Sequence, residues 1–339
     1  MNIDLFIDNI YLNQSNMKTG KLIILFFVLI SLSSSCKKTE EQPCVKKTWY
    51  QDSDGDGKGS KTATPWEACE APPGYVANAD DDNDNPNASA SIIPTRGYTT
   101  PKTYDGLKLV WSDEFDGNRL DDKYWNYEIG NNNGWGNNEL QNYRRENTSV
   151  RDGYLIIEAK AESFGNQRYT SSRLTTENKY SFKYGRVDIR AVLPKGQGIW
   201  PAHWMLGKSF RQVGWPKCGE IDIMEMIGGQ NRENTVHGTV HWDNANRHAQ
   251  FGGSTKLASG TFNDEFHVFS ITWDSKKIVW YLDDRKYHEI DTTPAELSEF
   301  QEEFFFIFNI AVGGNWPGNP DSNTSFPQYM VVDYVRVFQ

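Results

Sequence analysis

Positive charge is scarce in this chain of 339 residues: 35 Lys and Arg stand against 45 Asp and Glu, a net charge of −10. No basic stripe is available to meet phosphates, which argues against a nucleic-acid partner. Long apolar runs are scarce too. The run LIILFFVLISL at residues 22–32 has eleven residues, and a bilayer span needs about 20. No segment sustains a helical apolar period over three turns, and no internal repeat of fixed period is present. Cysteines number only four, and none has a neighbouring His that would make a thiol nucleophile pair.

What the chain has in excess is aromatic surface. Aromatic residues make up 14%, with 12 Trp and 16 Tyr. Aromatic faces hold bases, sugars or quaternary cations, and an acidic protein leaves sugars as the natural choice. Filling a β core is the competing use for any single Trp.

The apolar run at 22–32 follows Lys18 and Lys21 and precedes SSSC, ending at Cys36. A charged start, a short apolar middle and small residues make a secretory signal. A Cys directly after the small residues resembles a bacterial lipoprotein box, which implies cleavage before Cys36 and a lipid on it. An ordinary cleaved signal is the alternative. Residues 1–16 are acidic and unlike a signal start, so Met17 is the expected initiator. The implied location is secreted, or at the surface of a bacterial outer membrane, with membrane contact only through the lipid.

Residues 37–102 differ in composition from the rest and read as a small Asp-rich module with a linker. DSDGDGKG at 52–59 alternates Asp with Gly, which sets hard oxygen ligands on a tight turn and suits calcium. It resembles the Asp-rich calcium repeats of thrombospondin type 3. Asp52, Asp54 and Asp56 are the candidate ligands, with Asp80 to Asp84 a second group. The alternative is an acidic spacer. Cys44 and Cys69 bracket this segment and are placed to form a disulfide in an oxidising compartment. Cys218 stands alone and reads as a small buried residue.

From 103 to 339 the pattern changes to many short strands punctuated by Gly, Asn, Asp and Pro. LIIEAKAE (155–162), FHVFSITWD (266–274), KIVWYLDD (277–284) and FFFIFNIAVGG (304–314) are examples. Such spacing predicts one all-β domain, a sandwich or jelly roll.

One strand is chemically odd. CGEIDIMEMIG (218–228) carries Glu220, Asp222 and Glu225 in an apolar run with no Lys or Arg. Glu220 and Asp222 share a face, because side chains two apart in a strand point the same way. Glu225 joins them only if a β-bulge inserts one residue, leaving Ile221 and Ile223 for the core. Three crowded carboxyls raise one another's pKa. Glycoside hydrolysis uses that condition, one carboxylate ionised and one carboxylic acid protonated. A hard-cation site and a solvated strand face are the alternatives; no His is interleaved for a transition metal.

The surrounding motifs carry a resemblance. GWPKCGEIDIMEMIG (214–228) resembles the bulged catalytic signature of glycoside hydrolase family 16. GIWPAHWML (198–206), NNGWGNNELQNY (132–143), SSRLTT (171–176) and HGTVHW (237–242) resemble its laminarinase branch, in order. WSDEFDG (111–117) and VDYVRVF (332–338) resemble its first and last strands, so the likeness covers about 107–339. The resemblance implies a curved β-jelly roll with a sugar cleft on its concave face. It implies retaining hydrolysis of β-1,3-glucan by a monomer, with Glu220 as nucleophile, Asp222 assisting and Glu225 as acid/base. It implies that Trp200, Trp204, Trp215 and Trp316 stack on sugar rings, that Arg173 and Asn138 bond sugar hydroxyls, and that His241 lies near the acid/base. No cofactor is implied for catalysis. A structural calcium is implied at Asp333, with Glu114 and Gly153 contributing backbone oxygens. Mixed-linkage β-1,3-1,4-glucan is the alternative substrate, and a binding-only protein the alternative class.

Overall fold

The structure, a computed structural model, describes residues 44–53, 58–81 and 93–339. The signal region, Cys36, Asp54, Asp56, Asp82 and Asp84 lie outside the described residues. The chain divides into units at residues 1–46 and 47–339.

Three short strands, β1 (Lys47–Gln51), β2 (Trp66–Ala68) and β3 (Tyr75–Val76), form a small antiparallel sheet in the order β2-β1-β3. Cys69 is disulfide-bonded, as is Cys44.

The main domain is a sandwich of two antiparallel sheets. Its strands are β4 (Leu109–Asp113), β5 (Asn126–Glu128), β6 (Gln141–Tyr143), β7 (Thr148–Arg151), β8 (Tyr154–Ala159), β9 (Tyr169–Ser171), β10 (Arg173–Thr175), β11 (Gly185–Val192) and β12 (Ile199–Gly207). After a single-turn helix α1 (Phe210–Val213) come β13 (Glu220–Glu225), β14 (Thr235–Asp243), β15 (His248–Lys256), β16 (His267–Trp273), β17 (Lys277–Leu282), β18 (Arg285–Asp291), β19 (Phe304–Val312) and β20 (Gln328–Phe338). One sheet runs β15-β14-β13-β12-β19-β10-β5, the other β18-β17-β16-β11-β20-β8-β7 with β4 added on β20, while β6 and β9 belong to neither and form a separate parallel pair. The all-β expectation therefore holds.

Burial follows the period-2 pattern where one face is covered and a continuous apolar run where both are. Strand β19, FFFIFNIAV, is buried at all nine positions. It lies between β12 and β10 in the middle of its sheet. Its Phe304, Phe306, Phe308, Ile310 and Val312 join the main core between the sheets. Phe305 and Ile307 face away, packing with Leu206 and Cys218 against Trp204. At about 25 cal/mol per Å² of apolar area removed from water, each such ring contributes a few kcal/mol.

Residues 93–100, read from sequence as linker, pack on the domain. Ile93 is buried with Ile156, Val192, Phe266 and Val331. Tyr98 N–H donates to the Phe266 carbonyl at 2.8 Å, and Thr100 N–H to the Tyr334 hydroxyl at 3.0 Å.

Candidate active site

Strand β13 sits between β12 and β14, and its pairing slips on both sides. Trp204 faces Asp222 and His203 faces Met224, so Ile223 has no partner on β12. Against β14 the register jumps between Asp222–Thr239 and Glu225–His237. Ile223 is the inserted residue of a β-bulge. Its effect is the expected one. Leu206, Trp204 and Ala202 on β12 share a face, and they oppose Glu220, Asp222 and Glu225. All three acids thus come to the face that carries Trp204, while Ile221, Ile223 and Met224 enter the core.

The bulge is supported from behind by a residue that the sequence reading missed. Trp280 of β17 donates its Nε1–H to the Asp222 carbonyl at 2.8 Å. Gly238, where β14 passes the bulge, leaves room for that ring: a Cβ there would lie 2.4 Å from Trp280 Cδ1. Gly207 does similar service at the other end, since its Cβ would lie 1.8 Å from the Cys218 carbonyl oxygen.

Each acid has its own partners. Glu220 Oε2 accepts from Trp215 Nε1 at 2.8 Å, and its Oε1 is 3.8 Å from His241 Nε2. Asp222 is 2% exposed, with Oδ2 3.2 Å from His241 Nε2. Glu225 Oε1 accepts from Trp200 Nε1 at 3.1 Å. Burial pushes the Glu220 carboxyl up to about 8, repulsion from Asp222 adds to this, and His241 and the Trp215 donor oppose it. Burial raises Asp222 as well. Glu225 is raised well above the carboxylate range by burial and then by repulsion from Asp222 and Glu220. The cluster therefore holds protons near neutral pH.

Of the predicted sugar-binding residues, Trp200, Trp204 and Trp215 adjoin the acids, and His241 lies beside Glu220 and Asp222, whereas His237 is the residue paired with Glu225. Trp200 meets Trp316 edge-to-face at 5.6 Å, and Trp316 meets His237 at 5.0 Å. Trp215 and Trp316 are 46% and 40% exposed, so neither is a core residue. Trp204 donates Nε1–H to Asn309 Oδ1 at 2.8 Å. Asn138 is exposed and donates to Asn315 Oδ1 at 2.8 Å, joining two loops. Arg173 differs from expectation in its company. Its guanidinium lies over Trp204 and Trp135, at 4.8 and 4.6 Å, and it is ion-paired with Glu128.

Several site residues were not found by sequence reasoning: Trp135, Glu128, Asn309, Trp280 and His248. His248 Nε2 lies 2.8 Å from His241 Nδ1. Its signal was present in HWDNANRH, a turn that pairs Asp243 with His248 and brings the two imidazoles to one face. A buried Glu139 also backs the site. It accepts from Gln141 at 2.7 Å and Tyr143 at 3.2 Å, and Tyr143 OH accepts from Asn309 at 3.1 Å.

The residues named for calcium lie elsewhere. Asp333 Oδ2 accepts from Arg190 at 2.7 Å, and both Glu114 oxygens accept from Arg336 at 2.7 Å. Gly153 is in the turn between β7 and β8, with φ of +80°.

Comparison with known proteins finds one family. The profile of "Glycosyl hydrolases family 16" matches residues 136–336. A "Beta-glucanase" of Rhodothermus marinus is 44% identical over 248 residues, covering 68% of this chain and 85% of that protein. The "Clotting factor G alpha subunit" of Tachypleus tridentatus is 40% identical over 238 residues, 68% of this chain; the match spans only 34% of that longer protein. The laminarinase catalytic domain from Thermotoga maritima superposes with a TM-score of 0.65 at 48% identity, covering 69% of this chain and 98% of that one.

Proposed function

From the premise that the chain belongs to glycosyl hydrolases family 16, we propose that it is an endo-acting β-1,3-glucanase that works with retention. The observation that carries this is the bulge at Ile223, which puts Glu220, Asp222 and Glu225 on one face among Trp200, Trp204 and Trp215.

The two Glu take different roles because their surroundings differ. Glu220 has an indole N–H at 2.8 Å and an imidazole nearby to stabilise its anion. It is the nucleophile. Glu225 has a single indole donor and the repulsion of two acids, so it keeps its proton. In the first step Glu225 gives that proton to the glycosidic oxygen while Glu220 bonds to the anomeric carbon. The leaving sugar departs with its new hydroxyl, and a glycosyl ester remains on Glu220. In the second step Glu225, now a carboxylate, takes a proton from water as the water oxygen displaces Glu220. Two inversions give net retention. Glu220 must release its own proton before it attacks, and Asp222, hydrogen-bonded to it, is the group placed to hold that proton. The exposed faces of Trp215 and Trp316 suit the C–H faces of glucosyl rings.

The test is reducing-sugar release by the mature protein on laminarin and on mixed-linkage glucan, with the product anomer followed by NMR. Faster release from laminarin with the β-anomer formed first is expected. Faster release from mixed-linkage glucan would move the substrate to β-1,3-1,4-glucan; an α-anomer would overturn retention. Binding without release from either would make it a glucan-binding protein.

Further proposals complete this reading. The enzyme is secreted and held at the outer membrane by lipid on Cys36, works as a monomer, and carries residues 37–102 as a small calcium-binding module and linker before a catalytic domain at 103–339. A calcium at Asp333 fits only in part. Arg190 already holds one carboxylate oxygen, so the ion would rely on the other and on backbone oxygens of Glu114 and Gly153. It would serve stability, not chemistry. Added calcium should then raise the melting temperature, and Asp333→Asn should remove the effect.

A further inference from the structure

His241 brings to the acid cluster what its own strand lacks, a nitrogen ligand. One donor atom each from Glu220, Asp222 and His241 lies within 4.8 Å of the others. His241 Nε2 is 3.2 Å from Asp222 Oδ2 and 3.8 Å from Glu220 Oε1. A tetrahedral zinc ion with bonds of about 2.0–2.2 Å holds its donors roughly 3.3–3.5 Å apart. The two distances from His241 are close to that spacing, and with all three donors within 4.8 Å a shift of the Glu220 side chain would complete such a site.

Two further observations point to a ligand. Asp222 is 2% exposed, yet its Oδ2, the oxygen nearest His241, has no hydrogen-bond partner. The short approach to His241 Nε2 does not have hydrogen-bond geometry. A buried carboxylate oxygen left this way is unfavourable, and a bound cation would remove the cost. Second, His241 has an outer partner. His248 Nε2 lies 2.8 Å from its Nδ1. The two rings stack at 5.1 Å, which sets one nitrogen of each against the other. With an ion bound, His241 would donate Nδ1–H to His248 and turn its Nε2 lone pair to the metal. A metal-bound imidazole has this arrangement, its other nitrogen hydrogen-bonded to an outer acceptor.

We propose that Glu220, Asp222 and His241 bind a divalent transition-metal ion of the zinc class, with His248 as the outer partner of His241, and that the bound ion switches the enzyme off. Two oxygens and one imidazole with an open fourth position suit zinc or copper(II). Calcium seeks six to eight oxygens and magnesium an octahedron, so neither competes. Metal bound at Glu220 occupies the carboxylate that must reach the anomeric carbon. This switch rests on the hydrolase reading; the metal site rests on the geometry alone.

The test titrates zinc chloride into the chelator-treated full mature chain by calorimetry and repeats it with cobalt(II), read by its visible absorption. One strong site is expected in the wild type. Affinity should fall at least tenfold in His241→Ala and about 10–100-fold in His248→Ala. It should be unchanged in His288→Gln, a histidine on the other sheet. Equal zinc affinity in folded His241→Ala, or equally tight calcium binding, would overturn the site. If His241→Ala does not fold, intense tetrahedral cobalt bands in the wild type, weakened in His248→Ala, support it, and their absence overturns it. Laminarin hydrolysis should stop at zinc saturation, recover with chelator, and be protected by oligosaccharide. Unchanged hydrolysis with the site saturated would overturn the switch. Zinc binding without any glucanase activity would sink the hydrolase reading and leave the site standing.

Discussion

Replacing Glu220 by Gln should stabilise the protein at alkaline pH while abolishing turnover. In the folded chain burial lifts this carboxyl from 4.5 to about 8. Between those values the native state keeps a proton that the unfolded chain has released. Stability from this proton is complete below about pH 4.5 and is lost as pH rises through about 8. At about 1.4 kcal/mol per pH decade, the full difference approaches 5 kcal/mol. The Glu220 side chain is only 17% exposed, so solvent screens little of it. Asp222 and Glu225 remain behind and still titrate, so we expect a net gain of about 2–4 kcal/mol at pH 9. The amide can keep the bond from Trp215 and can donate to Asp222. For a domain of this size 1 kcal/mol is worth ~2–4 °C, giving a melting temperature higher by about 4–16 °C at pH 9. Near pH 5 the two proteins should melt within about 2 °C of each other. Scanning calorimetry at both pH values reads the difference. A variant equally or less stable than wild type at pH 9 would show that the carboxyl is not held protonated by the fold.

Three other outcomes follow from the same geometry. Glu225→Gln removes the proton donor, so turnover on glucan should fall about 10²–10⁴-fold, while aryl glycosides with acidic leaving groups should lose far less in the glycosylation step. Trp204→Ala removes the surface that Arg173 covers and the donor to Asn309. KM on laminarin should rise about tenfold with kcat little changed, and an unchanged KM would take Trp204 out of sugar contact. Burial pushes the Cys218 thiol up to about 12, so it should resist alkylation in the native protein at pH 8 and react once the protein is unfolded.

The catalytic strand was unusually legible. Glu220, Asp222 and Glu225 stand out because an apolar strand has no local reason to carry three uncompensated acids. The period of two then requires a bulge if they are to act together. Which residue is inserted was not legible, because Ile223 and Met224 are alike in polarity; only the pairing of β13 with β12 and β14 decides it. Arg173 shows a different limit. Its motif marks it as a site residue, but that it lies between Trp135 and Trp204 depends on loops far apart in sequence. Trp280 was read only as part of a strand, since nothing in KIVWYLDD signals that its indole holds the bulge from the opposite sheet.

The sequence by itself determined the class of chemistry and the all-β architecture, because both rest on local facts: side-chain alternation, strand length, turn residues and the run of acids in β13. Tertiary structure decided the environment of those acids. His241 and His248 reach Asp222 through the β14–β15 hairpin, and Trp200 and Trp215 reach the two Glu from neighbouring segments. The pKa of a carboxyl depends on desolvation and on charges within a few ångströms. Those distances are set by sheet order and register, so no local reading of the chain contains them.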